Sequence, residues 1–410
     1  MVIIMNQKYI IEKIDHFGRG ITKINNKIAF IENALPNELV EIKITKETKK
    51  YIEGVTTKVI KESSDRTKSN CPYYHECGGC NIRHLEYMKQ LKYKEQKVKE
   101  ILKKFADIET EKIKNIVSGP KENYRNKITL KVKNKIGLYK KQTYELINIG
   151  NCNLVSENIN KIISRLNNIE LKNIDEIIIR NSYEDKAILN IKGKNINKAY
   201  LKDNLKDYVE NIVVYDNDSK EIILGEAFII DKIGTYLFLI SDDSFFQVNK
   251  YVTTKLYDKV KEYVNESGES LLDLYCGTGT IGIYLSEKFK SVTGIEINKN
   301  AIANALENKK INNITNINFI CDDVGKNKRK FENVDVMIID PPRNGLTKEA
   351  LKNVLDINAK KIIYVSCDPV TLARDLKILK EFYEIKEITP FDMFPDTYHV
   401  ETVCLLSNVK

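Results

Sequence analysis

Asp273-Leu-Tyr-Cys-Gly-Thr-Gly-Thr280 overlaps the end of an apolar run, Ser270-Leu-Leu-Asp-Leu-Tyr275, and leads into a stretch expected to be helical. A strand that turns into a helix through two glycines lets backbone approach a ligand closely. No Gly-Lys-Ser/Thr for a nucleoside triphosphate follows, and the third glycine of the dinucleotide fingerprint is missing. Further strands are expected at Ser291-Val-Thr-Gly-Ile-Glu296, Ile317-Asn-Phe-Ile320, Val334-Asp-Val-Met-Ile-Ile-Asp340 and Lys361-Ile-Ile-Tyr-Val-Ser366. Helices are expected over 280–289, 298–310, 347–356 and 370–382. Such alternation predicts a parallel, doubly wound sheet over residues 241–410, with ligands at the carboxyl ends of its strands.

Those strand ends carry the chemistry. Glu296 ends the second strand, where a carboxylate can hold two ribose hydroxyls, and Asp322-Asp323 after the third are placed to accept from an adenine amine. A glycine turn followed by acidic strand ends, with no phosphate site, fits S-adenosylmethionine. Asp340-Pro-Pro-Arg343 ends the fourth strand. Arginine at its last place, where an aromatic would suit methylation of an exocyclic amine, leaves a ring carbon as the target.

Cys367, in Val365-Ser-Cys-Asp-Pro369, is expected at the mouth of the sheet, opening a helix whose N-terminus would stabilise a thiolate. Uracil C5 is a poor nucleophile until a thiolate adds to C6, so a cysteine here makes chemical sense. A general base must then take the C5 proton, and Phe394-Pro-Asp-Thr-Tyr-His-Val-Glu401 offers His399 and Glu401, with Glu401 preferred. Cys276, Cys321 and Cys404 are expected in the core.

The remainder of the chain is different in character. The 410 residues carry 66 Lys+Arg against 57 Asp+Glu. Residues 241–410 hold 23 against 25, which leaves 43 against 32 in residues 1–240. Basicity confined to the first part fits a polyanion partner there. Short apolar runs with turn signals over 1–62 predict a small OB-like β-barrel, a common nucleic-acid platform. A polar linker is expected over 63–70, an amphipathic helix with a solvated lysine face over Leu85–Phe105, and a β-rich central domain to residue 240. No run is long enough for a membrane helix, and no secretory signal is seen, so a cytoplasmic protein is expected.

Cys71-Pro-Tyr-Tyr-His-Glu-Cys77-Gly-Gly-Cys80 is a C-x5-C-x2-C array that calls for a metal and a fourth ligand, with Cys152 the candidate. One wide loop, one knuckle and a remote cysteine suit an iron–sulfur cluster, while His75 and His84 leave a zinc site open.

Together these blocks resemble the bacterial RNA uracil-5-methyltransferases, specifically the 23S rRNA branch with an N-terminal TRAM domain and a [4Fe–4S] cluster. The likeness runs from Gly18-x-Gly20 and the cysteine array through Tyr124-Arg125-Asn126-Lys127, Phe246-Gln247-Val248-Asn249, the 273–279 turn and Asp340-Pro-Pro-Arg-x-Gly345. It continues through Ser366–Pro369, Arg374-Asp375, Met393-Phe-Pro395 and His399-Val-Glu401. The resemblance implies a multidomain α/β protein: a TRAM barrel (1–62), a central domain with the cluster (63–240) and a Rossmann-like methyltransferase domain (241–410). It implies Cys367 as nucleophile and Glu401 as base. Gln247, Tyr275, Glu296 and Asp340 match the S-adenosylmethionine contacts, and Cys71, Cys77, Cys80 and Cys152 the cluster ligands. Thr280 and Asp368 depart from asparagines common in that family. The expected partner is RNA, 23S rRNA foremost, with no DNA and no membrane, and the protein is expected to be a monomer. The rival readings are the same chemistry on a tRNA uridine, a non-catalytic RNA-binding metal protein, and an amine methyltransferase.

Overall fold

The computed structural model describes residues 3–217 and 219–409, with side chains from residue 7 onward. The chain divides into two compact units: residues 1–97, 139–147 and 394–399 form the first, and residues 98–138, 148–393 and 400–410 the second.

In the first unit, β1 (Ile3–Ile10), β2 (Lys13–Ile14), β3 (Gly20–Ile24), β4 (Lys27–Glu32), β5 (Leu39–Glu47) and β6 (Tyr51–Lys61) form one sheet in the order β1-β5-β6-β4-β3-β2. Alternation along these strands turns Ile24, Ile31, Val40, Ile42 and Ile52 inward to a small core. A Cβ on Gly20 would stand 2.8 Å from Ile11 Cγ2 and 2.9 Å from Ala34 Cβ, so that strand start needs glycine. The polar stretch after the barrel is not a loose linker. Arg66 donates to the fully buried Glu38, whose carboxylate also accepts from Leu35 N at 2.8 Å.

Helix α1 (Tyr87–Ala106) begins within the first unit and ends in the second. Its lysine face is only partly solvated. Lys94 and Lys97 are buried, with Lys94 Nζ donating to Phe394 O and Lys97 Nζ to Tyr398 O, both at 2.9 Å. Met88 and Phe105, expected on the apolar stripe, are exposed.

The second unit contains two sheets and a hairpin. Strands β7 (Lys127–Lys133), β8 (Lys135–Tyr139), β10 (Ile174–Asn181), β11 (Ala187–Gly193), β12 (Asn211–Asp216) and β13 (Ser219–Leu224) supply the central sheet, in which β13-β12-β11-β10-β7-β8 are neighbours, while β9 (Leu146–Asn148) straddles the division, its first two residues belonging to the first unit. Helices α2 (Glu157–Leu166) and α3 (Lys198–Leu205) accompany it, α2 capped by Ser156 and α3 by Asn197. The hairpin β14 (Phe228–Ile233) and β15 (Tyr236–Ser241) follows.

The last sheet runs β18-β17-β16-β19-β20-β22-β21. It is built from β16 (Gly268–Leu274), β17 (Phe289–Glu296), β18 (Ile317–Cys321), β19 (Val336–Ile339), β20 (Lys361–Ser366), β21 (Tyr383–Phe391) and β22 (Glu401–Asn408). Its first five strands are parallel and β22 returns antiparallel to β20 and β21. Helices α4 (Lys250–Val264), α5 (Thr280–Leu285), α6 (Lys299–Ile311), α7 (Lys348–Ile357) and α8 (Pro369–Leu379) complete it. Every residue of β19 is buried, as expected of a parallel strand covered on both faces. Cys276 and Cys404 lie in the core, but Cys321 is exposed because β18 is the edge of the sheet. Among the described residues no helix is long and apolar enough to cross a membrane.

Candidate active site

Five parallel strands deliver their C-terminal residues to one rim of the sheet. Strand order reverses between β16 and β19, where such sheets open a crevice. After β16 the chain makes an unusual turn: Tyr275 has φ 62°, Gly277 54° and Gly279 80°. A tyrosine in the left-handed region is strained, and the neighbouring contacts must hold it there. Asp273 Oδ2 accepts from Gly282 N at 2.9 Å, Cys276 N donates to Ile295 O at 3.0 Å, and Gly277 N to Glu296 Oε2 at 3.3 Å. Gly279 packs under Phe319, where a Cβ would meet the ring at 2.5 Å, whereas a Cβ on Gly277 would face open space. The turn is thus closed on the protein side and open at Gly277, a cradle suited to close approach by a ligand.

Glu296 sits half-buried at the end of β17, its Oε1 accepting from Asn298 N at 2.8 Å. Asp322 N donates to Glu296 O at 3.0 Å, so the second and third strand ends are tied to each other.

Cys367 follows the last residue of β20, and Glu401 opens β22. The antiparallel register pairs Ser366 with Thr402, which sets Cys367 and Glu401 side by side at the same rim. At that distance their charges act on each other. Burial pushes the Cys367 thiol up to about 12, helped by the Glu401 and Asp340 carboxylates and opposed by Arg343. Glu401 is buried and raised to about 8 by desolvation, then by Asp340, again with Arg343 opposing. Desolvation lifts Asp340 to about 7, and Asp273 to about 8 with Asp340 contributing.

The helix N-terminus does not lower the thiol as expected. Asp368 caps α8 itself, Oδ1 accepting from Val370 N at 2.7 Å and Thr371 N at 3.1 Å, so those donors are spent on a carboxylate.

The rim is supported by residues whose role the sequence reading did not specify. Arg374 Nη2 donates to Asn344 O and Leu346 O at 3.0 and 2.9 Å, and Asp375 Oδ2 accepts from Leu346 N and the Tyr364 hydroxyl. They hold the loop after Asp340-Pro-Pro-Arg343, whose Arg343 charge lowers both the Cys367 thiol and the Glu401 carboxyl. Gln247 joins a different network. Asn126 N donates to Val248 O at 2.9 Å and Asn126 Nδ2 to Gln247 O at 3.4 Å, so the Tyr124–Lys127 and Phe246–Asn249 blocks pair with each other.

The chain matches the tRNA (Uracil-5-)-methyltransferase family over residues 86–409 and the TRAM domain over residues 8–56. The chain belongs to the uracil-5-methyltransferase family. An uncharacterised RNA methyltransferase of Clostridium acetobutylicum is 36% identical, covering 97% of this chain and 96% of its own. One from Aquifex aeolicus is also 36% identical, over 97% of this chain and 98% of its own. Among solved structures, the Pyrococcus abyssi tRNA (uracil-54, C5)-methyltransferase in complex with S-adenosyl-L-homocysteine superposes with a TM-score of 0.80 at 27% identity, covering 98% of this chain and all of that one. The protein is a TRAM-containing, S-adenosylmethionine-dependent RNA methyltransferase, and the glycine cradle lies where a parallel sheet of this order opens.

The cysteine array gives a different result. Cys71, Cys77 and Cys80 lie on one turn-rich loop of the first unit, and Cys152 precedes α2 in the second. Among the described residues no three His, Cys, Asp or Glu side chains gather as a metal site, so the expected cluster geometry is not seen. Packing places the groups on this loop: Tyr74 is buried with its hydroxyl bonded to His84 Nδ1, which takes one ring nitrogen of the zinc alternative. The donor set itself suits a cluster, being thiol-rich, with Gly79 N directed at Cys77 Sγ at 3.4 Å.

Proposed function

We propose that this enzyme transfers a methyl group to C5 of a uridine in 23S rRNA through a covalent adduct on Cys367. What supports this reading is the register that sets Cys367 beside Glu401 at the strand ends, with Asp340 and Arg343 coupled to both. Cys367 Sγ adds to C6, and the electron pair moves through the ring to give an enolate whose C5 takes the methyl group. S-adenosylmethionine supplies that methyl; Gln247, Tyr275, Glu296 and Asp340 are its proposed contacts. Glu401 then removes the C5 proton, and the C6–S bond breaks to restore the ring and the thiolate. Burial raises both the Cys367 thiol and the Glu401 carboxyl, so each must release its proton to solvent, the thiol before it adds to C6 and the carboxyl before it takes the C5 proton.

The proposed parts are residues 1–62 for RNA, 63–240 with a [4Fe–4S] cluster on Cys71, Cys77, Cys80 and Cys152, and 241–410 for methyl transfer, in a cytoplasmic enzyme. A tRNA uridine is the second reading, favoured by the likeness to the Pyrococcus abyssi tRNA enzyme. Mapping 5-methyluridine in rRNA and tRNA from cells with and without the protein separates the two.

The chemistry is tested by two variants. Cys367→Ala should lose turnover and all protein–RNA adduct. Glu401→Gln should methylate C5 and then stall, leaving an adduct on a denaturing gel. Methylation retained by Cys367→Ala would refute the mechanism.

A further inference from the structure

The first unit contains a cavity of about 290 Å³ that the methyl-transfer reading does not use. Four segments distant in sequence converge on it: Phe17 and Arg19 from the barrel, Gly78 and Asn81 from the cysteine loop, Lys141, and Tyr398. Its volume is at the low end for small-molecule sites, roughly 300–1,000 Å³, and admits one flat group but no helix.

The lining is chemically mixed in a specific way. Phe17 is 56% exposed, a large apolar ring left in water, and meets Tyr398 edge-on at 5.5 Å and 80°. The Arg19 guanidinium lies over the rings of Phe17 and Phe30 at 5.4 and 4.5 Å, held by Asp15 at 2.8 Å. Lys141 Nζ stands over the Tyr74 ring at 4.8 Å and donates to Asn33 Oδ1 at 3.2 Å. The half-buried Asn81 carboxamide makes no hydrogen bond among the described residues, leaving a donor and an acceptor for a ligand edge. Gly18 seats the Phe17 loop on Ile82: φ is 79° and a Cβ would meet Ile82 Cγ2 at 2.3 Å.

We propose that this cavity binds the base of an unpaired RNA nucleotide other than the methylation target, stacked on Phe17 with its edge read by Asn81. Exposed aromatics beside cations and a free amide are how proteins hold unstacked bases, and residues 1–240 carry the basic excess that draws RNA. The proposal rests on the RNA-methyltransferase reading and assigns the cysteine loop a task, since Gly78 and Asn81 wall the site.

The test uses the full-length protein and a short single-stranded oligoribonucleotide carrying one 2-aminopurine. Stacking should quench its fluorescence. Phe17→Ala should abolish the quench and raise Kd roughly 5- to 100-fold. Phe17→Trp should restore both. Because phenylalanine carries no charge, the slope of log Kd against log salt should not change. Asn81→Ala should raise Kd several-fold, with S-adenosylmethionine affinity unchanged in either variant. Unchanged quench and Kd in both alanine variants would overturn the pocket assignment, as would a shallower salt slope in Phe17→Ala. Wild-type protein that forms no 5-methyluridine, yet shows the quench and its loss, would sink the proposed reaction and leave the base site standing.

Discussion

Glu401, Asp340 and Asp273 share one physical predicament: each is a carboxyl taken out of water near another acid, and each is raised, to about 8, 7 and 8. The folded state therefore holds protons that the unfolded chain releases above about pH 4–4.5. Stability contributed by the neutral forms is full below that value and is lost as pH rises through about 8. Glu401→Gln removes one such group. Its thermal midpoint should fall less steeply than the wild type's between about pH 5 and 8, by a few degrees at the upper end. Calorimetry across a buffer series checks this, and parallel curves would show that Glu401 is not desolvated. The multiple-turnover rate of the wild type should climb across the same window, since Glu401 serves as a base only when ionised.

Two elements do more than their patterns announced. α8 is capped by Asp368, whose one oxygen satisfies two backbone N–H groups beside the candidate nucleophile. Asp368→Ala should cost about 1 kcal/mol, measured by urea unfolding, while Asp368→Asn should retain most of the cap. The segment Phe394–His399 is held within the first unit by Arg83, which pairs with Asp396 where both side chains are almost wholly buried. Gln90 Nε2 donates to the same carboxylate at 2.9 Å, and Asn81 N and Ile82 N donate to Asp396 O. Removing one partner strands a buried charge, so Asp396→Leu should destabilise the first unit by about 3–5 kcal/mol. Hydrogen exchange at residues 81–97 should rise; unaltered protection there would show the pair to be dispensable.

For the whole molecule, the uneven charge predicts uneven salt sensitivity. RNA binding should weaken with salt, and Lys23→Gln or Lys58→Gln on the barrel should each reduce the slope by about 0.7–0.9 if the lysine meets a phosphate. Donor binding should be indifferent to both. Excision of residues 1–62 is a poorer test than it looks from sequence, because it would strip Arg66 of its partner Glu38. The cluster is tested by anaerobic purification. Brown protein with iron and sulfide of about four each per chain is expected, and Cys152→Ser should lose the colour. Colourless, fully active protein with one zinc would replace the cluster and leave methyl transfer intact.

Local order in the chain was enough to read the alternating strands and helices of the last sheet, the glycine turn, and the acids and Cys367 at successive strand ends. A parallel strand buried on both faces is a continuous apolar run, and its end is punctuated by glycine, acid or proline. Helix α4 was legible but not read, since Val252, Leu256, Val260 and Val264 recur every four residues on one face, whereas β22 was missed because nothing local distinguishes a returning strand from a tail. Glu401 shows the limit most clearly: the chemistry asks for a base in that segment and prefers Glu401, yet its spacing alone reads as a surface acid, and it is the resemblance that reverses that reading. Its burial and its place beside Cys367 come from an antiparallel pairing between residues some thirty-five positions apart. The raised carboxyls, the spent helix terminus at Asp368 and the Phe17 cavity are likewise sums of long-range contacts, which no window of neighbouring residues contains.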